Sequence, residues 1–253
     1  MPINQSFSWW CFASKDVEPG TVMKKAKEIG YKAVELLPND MLHLAGEHGL
    51  VVASHPGHRL EVKGLNDLDC HAEIEATILD NIELAKKHNI PTLIVFSGER
   101  RPGHSDEEGI ENSAIGLKRI AKQAEDAGIN IVMELLNSKV DHGGYQCDKS
   151  AWGVAMCEQV GSPRVGLLYD IYHMQIMEGD IIRTIRDHGK HFLHYHTAGN
   201  PGRRDMDETQ ELYYPPIMRA IAETGYTGYV GHEFIPKGDL GEALEAAYRL
   251  CDV

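Results

Sequence analysis

The chain has 253 residues, 42% hydrophobic and 25% charged, which excludes a disordered, collagen-like or coiled-coil protein. This length suits one domain with a substantial core. A formal net charge of −13 repels phosphate backbones, so we expect no broad nucleic-acid interface, although a local basic patch is not excluded.

Eight short apolar segments predict β-strands. Several are apolar along their whole length, as in TLIVF, NIVME and VGLLYD, which is typical of parallel strands covered on both faces. The predicted strands span residues 4–10, 33–37, 50–54, 92–96, 130–135, 165–169, 192–196 and 229–234.

Amphipathic segments fill the gaps between these strands and predict helices over residues 21–29, 67–88, 107–127, 181–188, 217–224 and 241–250. This alternation favours an α/β fold, a (β/α)8 TIM barrel, over a doubly wound open sheet. No Gly-rich phosphate fingerprint follows the first strand, and no GxxxxGK[ST] motif is present. Because no Ser/Pro-rich linker divides the chain, we expect a single domain over residues 1–253.

The chain shows no membrane or secretion signal. No apolar run approaches the roughly 20 residues that cross a bilayer, and the start, MPINQSFSWWCF, lacks a basic segment followed by an apolar one. An odd number of scattered cysteines, without a CxxC pair, is typical of reduced thiols. We therefore expect a cytoplasmic protein with no membrane partner.

Four polar residues follow or end apolar strands in the second half of the chain: Glu134, Asp170, His196 and Glu233. In a barrel, the carboxyl ends of the strands form the active-site face. Three carboxylates meeting there would repel one another and would be costly to bury without a partner. A divalent cation removes both problems, and three carboxylates with one imidazole suit Mg²⁺ or Mn²⁺, with Zn²⁺ less favoured.

The second half of the chain also resembles a known family. The segments MELLN at 133–137, YDIYHMQIMEGD at 169–180, HTAGNPGR at 196–203 and GYVGHEFIPKGD at 228–239 resemble the hydroxypyruvate isomerase family. That family belongs to the xylose isomerase-like TIM barrels, which also include the tagatose- and psicose-type ketose 3-epimerases. The resemblance implies an intramolecular oxidoreductase of carbohydrate metabolism.

The resemblance also implies roles residue by residue. It matches the four strand-end residues to the metal ligands, and Glu134 and Glu233 also to the two acid/base carboxylates. It matches His173 and Arg203 to substrate-contacting positions. For His55 and Glu99, in ASHPGH and FSGER, pocket-lining positions compete with an ordinary surface loop. Where relatives often read His-Glu-Pro-Gly-Thr-Gly-Glu, this chain reads RDMDETQELYYP, with Glu211 as the candidate for the acidic position.

This set of residues fits aldose–ketose isomerisation. A cation can stabilise an enediolate, while one carboxylate removes a proton and a second returns it. We expect hydroxypyruvate, interconverted with tartronate semialdehyde, or a similar short keto or sugar acid as substrate. Arg203 could bind its carboxylate in a bidentate manner. Barrels of this type often pair, which suggests a homodimer or a larger homo-oligomer.

Three rival functions remain open from the sequence. The first is a ketose 3-epimerase, which needs the same two glutamates acting on different carbons. The second is a phosphodiesterase on DNA like endonuclease IV, which would need more His ligands and a basic groove. The third is a non-catalytic barrel that binds sugar acids.

Overall fold

The strands form one parallel barrel. A computed structural model describes residues 3–13, 17–60 and 63–253. Within them, nine strands pair in parallel in the order β3-β2-β1-β9-β8-β7-β6-β5-β4. They are β1 (Asn4–Ser8), β2 (Ala33–Glu35), β3 (Val51–Val52), β4 (His55–Pro56), β5 (Thr92–Val95), β6 (Asn130–Glu134), β7 (Val165–Asp170), β8 (Phe192–Thr197) and β9 (Tyr229–His232).

The two ends of this order are neighbours in the chain. β3 pairs with β2, and β4 pairs with β5, so the chain changes partner between Val52 and His55. The predicted third strand, residues 50–54, contains β3 alone, and β4 follows it; these two short strands together occupy one position in the barrel. The eight predicted strands and the TIM barrel fold are confirmed.

Helices surround the strands and are longest where the sequence showed clear amphipathic periodicity. The helices are α1 (Trp9–Phe12), α2 (Pro19–Ile29), α3 (Leu42–Glu47), α4 (His71–His88), α5 (Asp106–Ala127), α6 (Ser150–Val160), α7 (Ile171–Met177), α8 (Ile181–His188), α9 (Tyr214–Glu223) and α10 (Leu240–Cys251). The sequence pattern did not predict α1, α3, α6 or α7. The first strand was predicted to reach Trp10, but the chain turns into α1 after Ser8.

The core has two parts. A large apolar cluster packs between strands and helices, and a small one, Ile94, Val132 and Leu168, lies inside the barrel. These three come from β5, β6 and β7, so that side of the interior is apolar. The opposite side of the interior is polar, with Ser6, Glu35, Ser54, His194 and His196 all buried. The barrel therefore holds a polar cluster beneath one half of its mouth.

Two observations bear on the chain's environment. All five cysteines are free thiols. Across residues 3–13, 17–60 and 63–253, we find no helix whose length and apolar character would let it cross a membrane.

Candidate metal and active site

The structure brings the four strand-end residues predicted to bind a metal together at the carboxyl ends of neighbouring strands. Glu134 and Asp170 end β6 and β7, His196 is the penultimate residue of β8, and Glu233 directly follows β9. One ligand atom from each lies within 4.8 Å of the others, and all four side chains are buried. Asp170 and His196 are register partners on β7 and β8, while Glu134 pairs with Leu168, two residues before Asp170, and His196 pairs with Gly231, two residues before Glu233.

Burial and like charge determine the protonation of this group. Burial raises the pKa of Glu134, and neighbouring His196 only partly opposes the increase. Burial also raises the pKa of Asp170. For Glu233, burial would raise the pKa, but the charges of His196 and Arg203 lower it below its usual range. Three carboxylates therefore share a small space in which positive charge is needed to keep all of them ionised.

The imidazole of His196 has two different environments. Its Nδ1 lies 3.0 Å from Glu233 Oε2 and 3.8 Å from Glu134 Oε1. This nitrogen is buried and has no hydrogen-bond partner. On the other side of the ring, Nε2 lies 3.1 Å from Glu35 Oε2. The unpaired nitrogen and the carboxylate oxygens that it faces are together suitable ligands for a divalent cation, so these residues fit such an ion.

Arg203 and Trp10 border the carboxylates on the solvent side. The Arg203 guanidinium donates to Glu233 and lies 3.7 Å from Asp170 Oδ2. It also lies over the rings of Trp10 and Tyr172, with 5.4 and 5.6 Å from its central carbon to the ring centroids. Trp10 donates its indole N–H to Glu233 Oε1 at 2.8 Å. Two contacts thus fix the Glu233 carboxylate.

A cavity of about 450 Å³ opens above this group. Glu134, Glu233 and Arg203 form its polar floor, and Arg59 and His142 also line it. Its apolar walls are formed by Leu36, Pro56, Leu60, Ile94, Phe96 and Leu136. This volume and this mix of lining residues are typical of sites for small molecules. Another depression, of about 630 Å³, lies at the opposite end of the barrel, and no carboxylate lines it among the described residues.

His173 is buried beside the carboxylates. Its backbone N–H donates to Asp170 Oδ1 at 3.1 Å, and its Nε2 lies 3.7 Å from Asp170 Oδ2 without a hydrogen-bond partner. Asn137 donates to His173 Nδ1 at 2.6 Å. Burial lowers the pKa of His173 well below its usual value, so the ring is neutral. Its contact with a substrate remains a prediction.

The structure does not bring His55 and Glu99 to the cavity, which corrects the expectation that they line it. Pro56 lines the cavity, and successive strand residues face opposite sides, so His55 faces the helices. Its register partner Leu93 belongs to the core between strands and helices. Glu99 lies on the loop after β5 with an exposed side chain and pairs through its backbone with Tyr145.

Glu211 does not line the cavity either. Its carboxylate accepts a hydrogen bond from Asn200 Nδ2 at 2.8 Å and another from Gln175 at 3.3 Å. Its backbone N–H also donates to the carbonyl of Asn200. Glu211 therefore supports the loop that carries Arg203.

Sequence reasoning missed Glu35, the buried carboxylate that ends β2. The signal was present, because Glu35 interrupts the apolar run AVELL just as Glu134 ends NIVME. His58 and His142, which line the cavity from loops, were also not identified from the sequence. His58 accepts a hydrogen bond from the backbone N–H of Phe96 at 2.9 Å, so it supports the cavity wall.

The model of the xylose isomerase-like TIM barrel family matches residues 23–250. The chain belongs to this family. The match includes all four residues of the candidate metal site and the loop that carries Arg203. The family match agrees with the barrel and with the place of the site at the carboxyl ends of its strands.

Several curated proteins that are similar to this chain are named as isomerases. A putative hydroxypyruvate isomerase from Homo sapiens is 27% identical over 93% of this chain and 90% of that protein. A 2-oxo-tetronate isomerase from Pectobacterium atrosepticum is 27% identical over 72% of this chain and 69% of that protein. These relatives support an isomerase activity for this xylose isomerase-like barrel.

Solved structures of similar fold carry more varied names. A protein from Brucella melitensis described as an AP endonuclease of family 2 has a TM-score of 0.85 and 25% identity, covering 96% of this chain and 97% of that one. The IOLI protein, solved with a zinc atom, has a TM-score of 0.75 and 17% identity, covering 98% and 96% of the two chains. At 17% identity, the similarity to the IOLI protein shows only that the two chains share a fold.

Proposed function

We propose that this protein is a divalent-metal-dependent isomerase of short keto or sugar acids, such as hydroxypyruvate or 2-oxo-tetronate. One observation carries the proposal: Glu134, Asp170, His196 and Glu233 converge within 4.8 Å beneath a cavity that the two glutamates line. The names of the curated relatives support the substrate class.

The four converging residues would hold the cation, which we assign as Mg²⁺ or Mn²⁺ because three of the four donors are carboxylates. When bound, the cation supplies the positive charge that stabilises an enediolate. The unpaired Nδ1 of His196 and the crowding of three carboxylates support this assignment.

The two glutamates would move the protons. With hydroxypyruvate, one carboxylate removes a proton from the hydroxymethyl carbon, and the electron pair of the broken C–H bond forms the enediolate double bond. The other carboxylate delivers a proton to the former carbonyl carbon, while the hydroxyl proton passes to the former carbonyl oxygen, which gives tartronate semialdehyde. Both glutamates border the cavity, so both could reach a substrate bound there.

The positive side chains of the cavity would select the acid. Arg203 lies over the rings of Trp10 and Tyr172, and its guanidinium can bind a carboxylate through two N–H groups. The apolar walls would exclude water from the enediolate. A neutral ketose needs no such positive charge.

The test measures deuterium incorporation from D2O at the carbon next to the carbonyl, with Mn²⁺ present, over hydroxypyruvate, 2-oxo-tetronate, fructose, tagatose and psicose. We expect exchange and turnover with the keto acids. Glu134→Gln and Glu233→Gln should each lower kcat by about 10²- to 10⁴-fold, since each removes an acid/base group. Asp148→Asn, a buried carboxylate that pairs with Arg100 outside the site, is the matched control and should retain activity.

The rival functions give other outcomes. Turnover of the free ketoses alone would replace the proposal by a ketose 3-epimerase. Cleavage of abasic DNA without keto-acid turnover would indicate a nuclease. Binding of sugar acids by wild type and both variants, with no exchange in any of them, would indicate a non-catalytic binding barrel.

A further inference from the structure

The barrel interior contains a second carboxylate site, centred on Glu35, directly beneath the proposed metal centre. Glu35 is fully buried. Its Oε2 lies 2.8 Å from His194 Nε2 and 3.1 Å from His196 Nε2, and it accepts a hydrogen bond from the Ser54 hydroxyl at 2.6 Å. The Ser6 hydroxyl donates to Oε1. Two strands, β1 and β8, and the segment between β3 and β4 thus supply the partners of this one β2 side chain.

The fold leaves space for this carboxylate. Gly231, in β9, faces Glu35, and a Cβ at this position would overlap Glu35 Oε1 and crowd the His196 ring. The register pairs Gly231 with His196 on β8 and with Ser6 on β1. A glycine is therefore required on β9 for the Glu35 carboxylate to lie beneath His196.

The hydrogen-bond count fixes the protons of the two imidazoles. An ionised carboxylate accepts hydrogen bonds and cannot donate one, and two hydroxyl groups and two imidazole Nε2 atoms surround the Glu35 carboxylate. Each facing Nε2 atom must therefore carry a proton. When His196 is neutral, its lone pair lies on Nδ1, the nitrogen that faces Glu134 and Glu233 without a hydrogen bond.

We propose that Glu35 is a positioning residue, which holds the Nε2 proton of His196 and so directs the Nδ1 lone pair into the Glu134–Asp170–Glu233 group. The inference rests on the proposed metal centre, because it assigns Glu35 a role in metal affinity. Glu35 has no place in the cavity lining, so it acts through His196 and does not touch substrate.

A competing interpretation makes Glu35, His194 and His196 a metal site of their own, because their ligand atoms also lie within 4.8 Å of one another. The hydrogen bonds argue against it. Both Nε2 atoms point at the same oxygen of Glu35, so protons occupy the positions where a cation would bind. The number of bound ions distinguishes the two interpretations.

A double-mutant cycle on Mn²⁺ affinity tests the inference. Isothermal titration of the metal-stripped full chain gives Kd and stoichiometry for wild type, Glu35→Gln, His196→Gln and the double variant. We expect one Mn²⁺ per wild-type chain and a 10- to 100-fold weaker Kd in Glu35→Gln, a usual effect of losing a residue that orients a ligand. In the His196→Gln background, the same substitution should change Kd less than about twofold, because the residue it acts through is gone.

A spectroscopic measurement on the wild type avoids any dependence on the folding of a variant. Histidine ¹⁵N NMR of the Mg²⁺-saturated protein should show His196 with a proton on Nε2 and none on Nδ1. Asp148→Asn is the control for loss of a buried carboxylate, and it should leave both the Mn²⁺ Kd and this spectrum unchanged.

The outcomes separate this inference from the proposed function. Equal effects of Glu35→Gln in the two backgrounds, a second Mn²⁺ ion, or a proton on Nδ1 would each overturn the role of Glu35. A wild type that binds no Mn²⁺ would overturn both the inference and the metal centre. If the effect of Glu35→Gln on the Mn²⁺ Kd depends on His196 but the protein does not turn over keto acids, Glu35 remains a positioning residue and only the proposed isomerase activity is refuted.

Discussion

Arg203 combines two features that rarely occur together in a surface-loop residue. Its backbone is left-handed, with φ of 54°, a conformation that costs a non-glycine residue free energy. Its guanidinium contacts two carboxylates of the candidate site and lies over the rings of Trp10 and Tyr172. The strained backbone and the number of contacts together indicate that the position of this side chain matters for the site.

We therefore expect Arg203→Lys to impair binding of an acidic substrate. Lysine keeps the charge but loses the planar fork and the stacking on Trp10 and Tyr172. KM for the keto acid should rise roughly tenfold, equivalent to about 1.4 kcal/mol. Steady-state kinetics checks this, with Arg204→Lys as the control, since Arg204 bonds to the carbonyl of Pro236 outside the cavity. An unchanged KM in the Arg203 variant would remove Arg203 from the substrate site.

Side-chain direction explains which site residues could be predicted from the sequence. Glu134 and Asp170 were found because a charged residue at the end of an apolar strand needs a partner. His55 was misplaced because its strand, only two residues long, gives no period from which to decide its face. Glu35 was missed although it carries the same signal as Glu134, because its role depends on imidazoles about 160 residues away in the chain.

The helices were predictable where they were long, amphipathic and capped. α5 has a capping box, in which the Ser105 hydroxyl accepts from the Glu108 N–H and the Glu108 carboxylate accepts from the Ser105 N–H. In contrast, α6 (SAWGVAMCEQV) is largely buried and shows no clear polar face, and α7, which directly follows Asp170, has only seven residues. Helical periodicity is visible only where one face meets water.

The capping box of α5 predicts a stability effect without a functional one. Ser105→Ala should lower the free energy of unfolding by about 1 kcal/mol, because the Glu108 N–H loses the hydroxyl that accepts its hydrogen bond. Chemical denaturation measures the change. Lys118→Ala, on an exposed position of the same helix, should remain within about 0.5 kcal/mol of wild type. A Ser105 variant as stable as the Lys118 variant would contradict the assigned cap.

The barrel as a whole brings together residues that no local pattern connects. The four candidate ligands come from four consecutive strands, β6 to β9, and span residues 134 to 233 of the chain. Alternating strands and helices were enough to predict that these strand ends meet on one face. The closure of the ring was not predictable in detail, because it depends on the exchange of partners between β3 and β4, whose paired pieces are two residues each.

A site assembled from distant strands exists only in the folded chain, so a cation that binds there must stabilise the whole barrel. At Mn²⁺ about 100-fold above its Kd, linkage adds about 2.7 kcal/mol to the free energy of unfolding. For a chain of this size, Tm should rise on the order of 5–10 °C and return to its starting value on chelation.

Differential scanning calorimetry of wild type and Asp170→Asn measures this change in Tm. Asp170 is one of the three carboxylates of the site and does not line the cavity, so its variant should lose most of the Mn²⁺-induced shift. The Asp148→Asn control should keep the full shift, and an equal shift in the Asp170 variant would mean that Mn²⁺ stabilises the fold from another site.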